Sequence, residues 1–126
     1  MDLTRIADDL RDFSAERDWE QFNTPRNLML ALVGEVGELV EIAQWRTDEQ
    51  VVEHARTEAG GRALGDELSD VLSYLVQVAA SLDIDLGAAW ETKMAANREK
   101  YPADLVRGSI KKYDEYHARG RGDLPA

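Results

Sequence analysis

The chain is expected to fold as an all-α, four-helix bundle-type domain, on three observations. Leu, Ala and Val dominate its apolar positions, and runs of β-branched residues are rare. Proline occurs only at Pro25, Pro102 and Pro125, so long unbroken helices are allowed. Apolar residues recur at helical spacing through most of the chain. A length of 126 residues suits a single domain with its own core. We expect that domain to cover residues 1–108, with a mobile tail over 109–126.

Leu3, Ile6, Ala7, Leu10 and Phe13 share one helical face and predict a first helix over residues 3–17. The segment RDWEQFN breaks that period. Thr24 followed by Pro25 reads as an N-cap and first-turn proline, opening a second helix that runs to about Trp45. Residues 47–61 are polar, with room for a short helix that Gly60-Gly61 would stop. A third long helix is expected over about 63–82. Asp85 then caps a fourth over about 86–101, ended by Tyr101-Pro102. From Ser109 onward no apolar period remains, hence the expected tail. Residues 28–43 are apolar around most of the helix circumference and ask for partners on more than one side. Association into a homo-oligomer follows, with two-fold symmetry the default.

Net charge is −10, from 25 acids against 15 bases. That excludes a binder of nucleic-acid duplexes, which needs a basic surface. It does not exclude a small polyphosphate, because a bound cation can reverse the local sign. There is no cysteine, so neither a disulfide framework nor a thiolate metal site is available. The start MDLTRIADDLRDF lacks the apolar core of a signal peptide, and no long uncharged apolar stretch suggests a membrane span. A soluble cytoplasmic protein is expected.

Chemistry enters with four acids. Glu35 and Glu38 lie in LMLALVGEVGELVEIAQW, and Glu67 and Asp70 in LGDELSDVLSYLVQVAASL. The i, i+3 spacing puts each pair on one helix face, about 60° apart. Leu28, Leu32, Val36, Leu39 and Ala43 form an apolar seam beside the first pair; Leu68, Val71, Leu75, Val78 and Leu82 form its counterpart beside the second. Two such helices packed antiparallel would bring the pairs together. Four acids that close to a core cannot all stay ionised without a compensating positive charge. No Lys or Arg is spaced on these helices to neutralise all four. An all-oxygen site for Mg²⁺ or Mn²⁺ is the economical answer. Ordinary half-exposed acids on a bundle rim are the alternative, and two pairs in matched phase argue against it.

Glu41 shares the face of Glu38 and is either a further participant or a solvated acid. Trp45 falls on the acid side at about −80° from Glu35, and Tyr74 at about −20° from Glu67, while Trp19 sits in the loop before the second helix. Aromatics beside a metal site suit a stacking platform for a base or sugar, and equally an ordinary packing role. Lys93, Asn97, Arg98, Lys100 and Tyr101 gather at the end of the fourth helix. They could meet phosphate oxygens or simply complement the helix C-terminus. His54 and His117 lie in polar segments and receive no role.

ExxE followed by ExxD resembles the motif of the MazG-like all-α NTP pyrophosphohydrolases. RDWEQFNTPRNLMLALVGEVGELVEIAQW, DELSDVLSYLVQVAA and KMAANREKYP extend the likeness over about residues 5–102, toward the dCTP pyrophosphatase branch. The resemblance implies a helical enzyme, commonly a tetramer built as a dimer of dimers with sites at subunit interfaces. It implies Mg²⁺-dependent hydrolysis of a nucleoside triphosphate to the monophosphate and pyrophosphate. Glu35, Glu38, Glu67 and Asp70 would be metal ligands. Trp19, Trp45 and Tyr74 would line the base pocket, and Lys93, Asn97 and Tyr101 would contact phosphates. Three positions depart from the branch: Asn23 and Leu10 stand where animal members have histidines, and Lys100 replaces a usual arginine.

The implied chemistry suits the residues. Water would attack the α-phosphorus, pyrophosphate would leave, and Glu38 or Glu41 could accept the proton. A carboxylate-bridged di-iron or di-manganese bundle would need ExxH motifs, and no histidine sits on the apolar helices. The competing reading is a non-catalytic acidic helical adaptor that binds partner helices; it leaves the matched acid pairs unexplained.

Overall fold

A computed structural model describes residues 1–110. It holds α1 (Leu3–Ala15), a 3-10 turn (Glu20–Phe22), α2 (Pro25–Ala43), α3 (Asp48–Arg56), α4 (Glu58–Ser81), α5 (Leu86–Lys100) and α6 (Ala103–Val106). No strand occurs among the described residues, as the all-α expectation requires. The expected tail lies largely outside the described residues, as does His117.

The chain divides into two compact units, residues 1–85 and 86–126. In the first, α1, α2 and α3 all pack on α4. Asn23 meets Gln77 at one end of the α2–α4 pair, and Glu35 and Glu38 meet Glu67 farther along. The two helices are therefore antiparallel. In the second unit, α5 breaks at Tyr101-Pro102, where a proline cannot continue the helix, and one further turn forms as α6.

Local chemistry sets the helix starts. Asp2 accepts hydrogen bonds from the backbone N–H groups of Thr4 (3.0 Å) and Arg5 (3.2 Å), capping α1. Thr24 Oγ1 accepts from Asn27 N–H at 3.3 Å, with Pro25 in the first turn, as the sequence predicts. Thr47 and Gln50 form a reciprocal capping box that starts α3.

Two ends share one device. Asp18 and Asp83 adopt left-handed backbone (φ 54° at each), a conformation that short polar side chains tolerate. Each lets the next N–H reach back into the helix: Trp19 to Ser14 O (3.0 Å) and Ile84 to Ala79 O (2.9 Å). The first of these turns delivers Trp19 edge-on to Phe13, with ring centroids 5.9 Å apart. Because of it α1 stops at Ala15, short of the expected residue 17.

Gly60-Gly61 does not stop α3. Both glycines lie in the first turns of α4, where the end of α3 crosses them. A Cβ on Gly60 would overlap the His54 carbonyl, and one on Gly61 would sit 2.8 Å from the Ala55 carbonyl oxygen. Gly65, one turn on, has open space around it. Gly60→Ala should thus lower stability by roughly 1–3 kcal/mol despite alanine's better helix propensity. Gly65→Ala should raise it by about 0.5–1 kcal/mol. Melting temperatures of the two variants check this; equal shifts would remove the close approach as the reason for Gly60.

The apolar core is small. Leu28, Val76 and Ala79 are the buried hydrophobic residues, and full burial of a side chain the size of Leu28 or Val76 contributes about 1.5–3 kcal/mol. Of the seam expected to face α2, Val71 and Val78 are half-buried, whereas the heptad-spaced Leu68, Leu75 and Leu82 are exposed; Val76 and Ala79 are buried instead, with Glu67 half-buried beside them. On α2, Val33 and Val40 are exposed too. Both central helices therefore keep an apolar stripe that no other element covers among the described residues.

Candidate functional site

Glu35 and Glu38 from α2 and Glu67 from α4 each bring a carboxylate oxygen within 4.8 Å of the others. The antiparallel pairing and the inward turn of Glu67 cause this convergence. Glu35 and Glu67 are half-buried and Glu38 is exposed. Glu67 Oε2 is buried and has no hydrogen-bond partner. Such an orphan costs free energy in a folded protein unless a cation, a donor or an ordered water meets it.

The electrostatics agree. Burial, first, and the neighbouring Glu38 and Asp70 carboxylates push Glu35 above the usual carboxylate range. Burial again leads for Glu67, which is raised further by Glu38, Glu35, Asp70 and Asp66. Among the described residues, no ion pair reaches Glu35, Glu38, Glu67 or Asp70. The arginine pairs at Arg5, Arg11, Arg17 and Arg62 all serve acids elsewhere. Asp70 stands outside the close trio and adds its charge to the same field.

The residues fit a small hard cation. Mg²⁺ binds oxygens at about 2.1 Å, so two ligands on one ion lie no more than roughly 4.2 Å apart. A small closure of the trio reaches that, and the ligand set is all oxygen.

Beside the acids lies a cavity of about 300 Å³, lined by Leu10, Phe13, Trp19, Asn23, Asp70 and Tyr74 together with Ser14, Ser73 and Gln77. Asp70 faces this cavity while contributing to the acidic field, so the two features adjoin. Of the aromatics singled out in the sequence, Trp19 and Tyr74 line it. Trp45, just past α2, is 87% exposed and lies outside the lining. Glu41 is exposed on α2 beyond the trio. Lys93 and Asn97 lie on α5, with Tyr101 just after it, in the second unit; Lys100 Nζ sits 5.5 Å from the Tyr101 ring.

Sequence reasoning missed Ser14, Ser73 and Gln77. Asn23 Nδ2 donates to Ser14 Oγ at 3.0 Å and to Gln77 Oε1 at 3.4 Å, across a separation of 54 positions. No local pattern announces such a pairing.

Two antiparallel helices thus bring three carboxylates together beside a cavity of about 300 Å³ in an all-α chain. The MazG-like family model matches residues 31–116, and the chain belongs to that family. It is 55% identical to human dCTP pyrophosphatase 1 over 122 residues, covering 90% of this chain and 72% of that one. The rat dCTP pyrophosphatase 1 is 51% identical over 120 residues, 89% of this chain and 71% of the other. A crystal structure of a pyrophosphatase from Archaeoglobus fulgidus superposes with a TM-score of 0.72 at 35% identity, covering 79% of this chain and 91% of that one.

Proposed function

We propose that this chain is a Mg²⁺-dependent nucleoside triphosphate pyrophosphohydrolase acting on dCTP or a 5-modified dCTP, giving the monophosphate and pyrophosphate. The single observation that carries this reading is the orphaned, buried Glu67 oxygen amid converging carboxylates. The relatives named dCTP pyrophosphatase support the substrate. An adaptor role gives no reason to bury an unpartnered carboxylate.

Glu35, Glu38, Glu67 and Asp70 would hold the metal, whose charge neutralises the triphosphate and polarises the attacked phosphorus. Water forms a new bond to the α-phosphorus, and the bond to the bridging oxygen of the β-phosphate breaks. Glu38, the exposed member of the trio, or Glu41 one turn on accepts the water proton. Trp19 and Tyr74 enclose the base from the cavity walls, and Trp45, exposed outside that lining, is the third aromatic assigned to the base. Lys93, Asn97 and Tyr101 are the residues assigned to phosphate contacts.

The unpartnered stripes through Leu68, Leu75 and Leu82 and through Val33 and Val40 support assembly as a homotetramer, a dimer of dimers. The functional domain extends over residues 1–108. No single helix among the described residues is long and apolar enough to cross a membrane, which is compatible with a cytoplasmic location.

The test is pyrophosphate release from dCTP, 5-methyl-dCTP, dTTP, dUTP and dATP, with millimolar Mg²⁺ and with EDTA. Release from dCTP or its 5-modified form in Mg²⁺ only is the expected result. No release from any of the five would overturn the reading.

A further inference from the structure

Asn23 and Gln77, which line the cavity beside the acids, form a chain of side-chain amides whose direction is fixed at one end. Gln77 Nε2 donates to the backbone carbonyl of Ser73 at 3.3 Å. A carbonyl oxygen can only accept, so the NH₂ of Gln77 must point toward it. Gln77 Oε1 is then turned toward Asn23 and can only accept in its turn. Asn23 answers with Nδ2, which donates to Gln77 Oε1 and to Ser14 Oγ. Both N–H bonds of the Asn23 amide are thereby committed. Its Oδ1 is the one polar atom of that side chain left for a ligand.

We propose that the Ser73–Gln77–Asn23 relay makes Asn23 Oδ1 a fixed acceptor that selects nucleobases carrying an exocyclic amine and rejects those with a keto oxygen at the same place. The inference rests on the pyrophosphohydrolase reading for its ligand, and on the relay alone for its direction. A cytosine amine finds an acceptor in Asn23 Oδ1. The uracil or thymine carbonyl meets a second acceptor and loses the hydrogen bond it had in water. Flipping the Asn23 amide does not rescue a keto base. It would oppose Asn23 Oδ1 to Gln77 Oε1, and flipping Gln77 as well would oppose its oxygen to the Ser73 carbonyl.

Asn23 is thus the specificity-determining residue, and Gln77, which lines the same cavity, is the positioning residue that orients it.

The experiment compares dCTP with dUTP, which differ at the amine-bearing edge of the ring. Two readouts are used: the kcat/KM ratio with Mg²⁺, and the Kd ratio of dCMP and dUMP by calorimetry, which needs no turnover. Wild type should favour the cytosine member at least tenfold in both. Asn23→Ala should bring each ratio down by about tenfold, the equivalent of one hydrogen bond of about 1.4 kcal/mol. Gln77→Leu, which frees the Asn23 amide to turn, should lower the ratios mainly by improving the uracil member. Circular dichroism confirms that each variant is folded. Equal binding of dCMP and dUMP by wild type, or unchanged ratios in folded Asn23→Ala and Gln77→Leu, would overturn the proposal. A wild type that binds dCMP over dUMP but hydrolyses no triphosphate would instead sink the enzymatic reading and leave the relay standing.

Discussion

Glu67→Gln should reduce pyrophosphate release at least about 100-fold while leaving the metal-free protein as stable as wild type or more so. The first effect follows from removing a ligand charge: perturbing even the outer neighbours of metal ligands costs 10–100-fold. The second follows from the site itself. Glu67 is held above the usual carboxylate range by burial and by the acids around it, with one oxygen unpartnered. A neutral amide of the same shape removes that repulsion and offers two donors to Glu35 and Glu38. The check is paired: turnover in Mg²⁺, and melting temperature in EDTA. Wild-type turnover would take Glu67 out of the ligand set. Lost turnover with a large fall in melting temperature would mean the residue serves the fold instead.

Millimolar Mg²⁺ should raise the melting temperature of the wild type, and the rise should grow with pH. The raised carboxyls of Glu35 and Glu67 bind protons more tightly in the folded chain than in the unfolded one. As pH climbs from the ordinary glutamate value of about 4.3 through the raised values, the folded state gives up those protons and the metal-free protein loses stability. Above that window the repulsion is fully present, and a divalent cation relieves it. Metal at about a hundred times its dissociation constant stabilises by about 2.7 kcal/mol. For a domain of this size that is on the order of 10 °C. Below the window Glu35 and Glu67 are protonated and Mg²⁺ should change little. Identical melts in EDTA and Mg²⁺ at pH 8, with a non-hydrolysable nucleotide present, would argue that no metal is held there.

What could be read from the sequence was what repeats at helical spacing or is capped locally. The acid pairs were legible because i, i+3 places both carboxylates on one face whatever the helix packs against. Thr24-Pro25 announced α2 because a cap acts within one turn. Gly60-Gly61 misled for a definite reason: glycine ends helices and also admits a crossing backbone, and only the placement of α3 decides between these. The Thr47/Gln50 capping box was there to be read and marks the start of α3. Leu68, Leu75 and Leu82 satisfied the apolar pattern, yet the packing of α1 and α3 on α4 turned another face inward. Gln77 is unremarkable alone, and its pairing with Asn23 exists only once α2 runs antiparallel to α4.

One consequence of α4 concerns distance. Glu67 and Gln77 lie on the same unbroken helix, whose rise of about 1.5 Å per residue sets them roughly 15 Å apart along its axis. On the proposed reading, the end that would hold a cation and the end that would read the base are joined by one rigid rod rather than by loops that move independently. α4 would then act as a gauge, satisfied at both ends only by a ligand whose length from charged tail to ring edge matches the rod. Discrimination by span would come with the secondary structure itself, before any side chain has read the chemistry of the base.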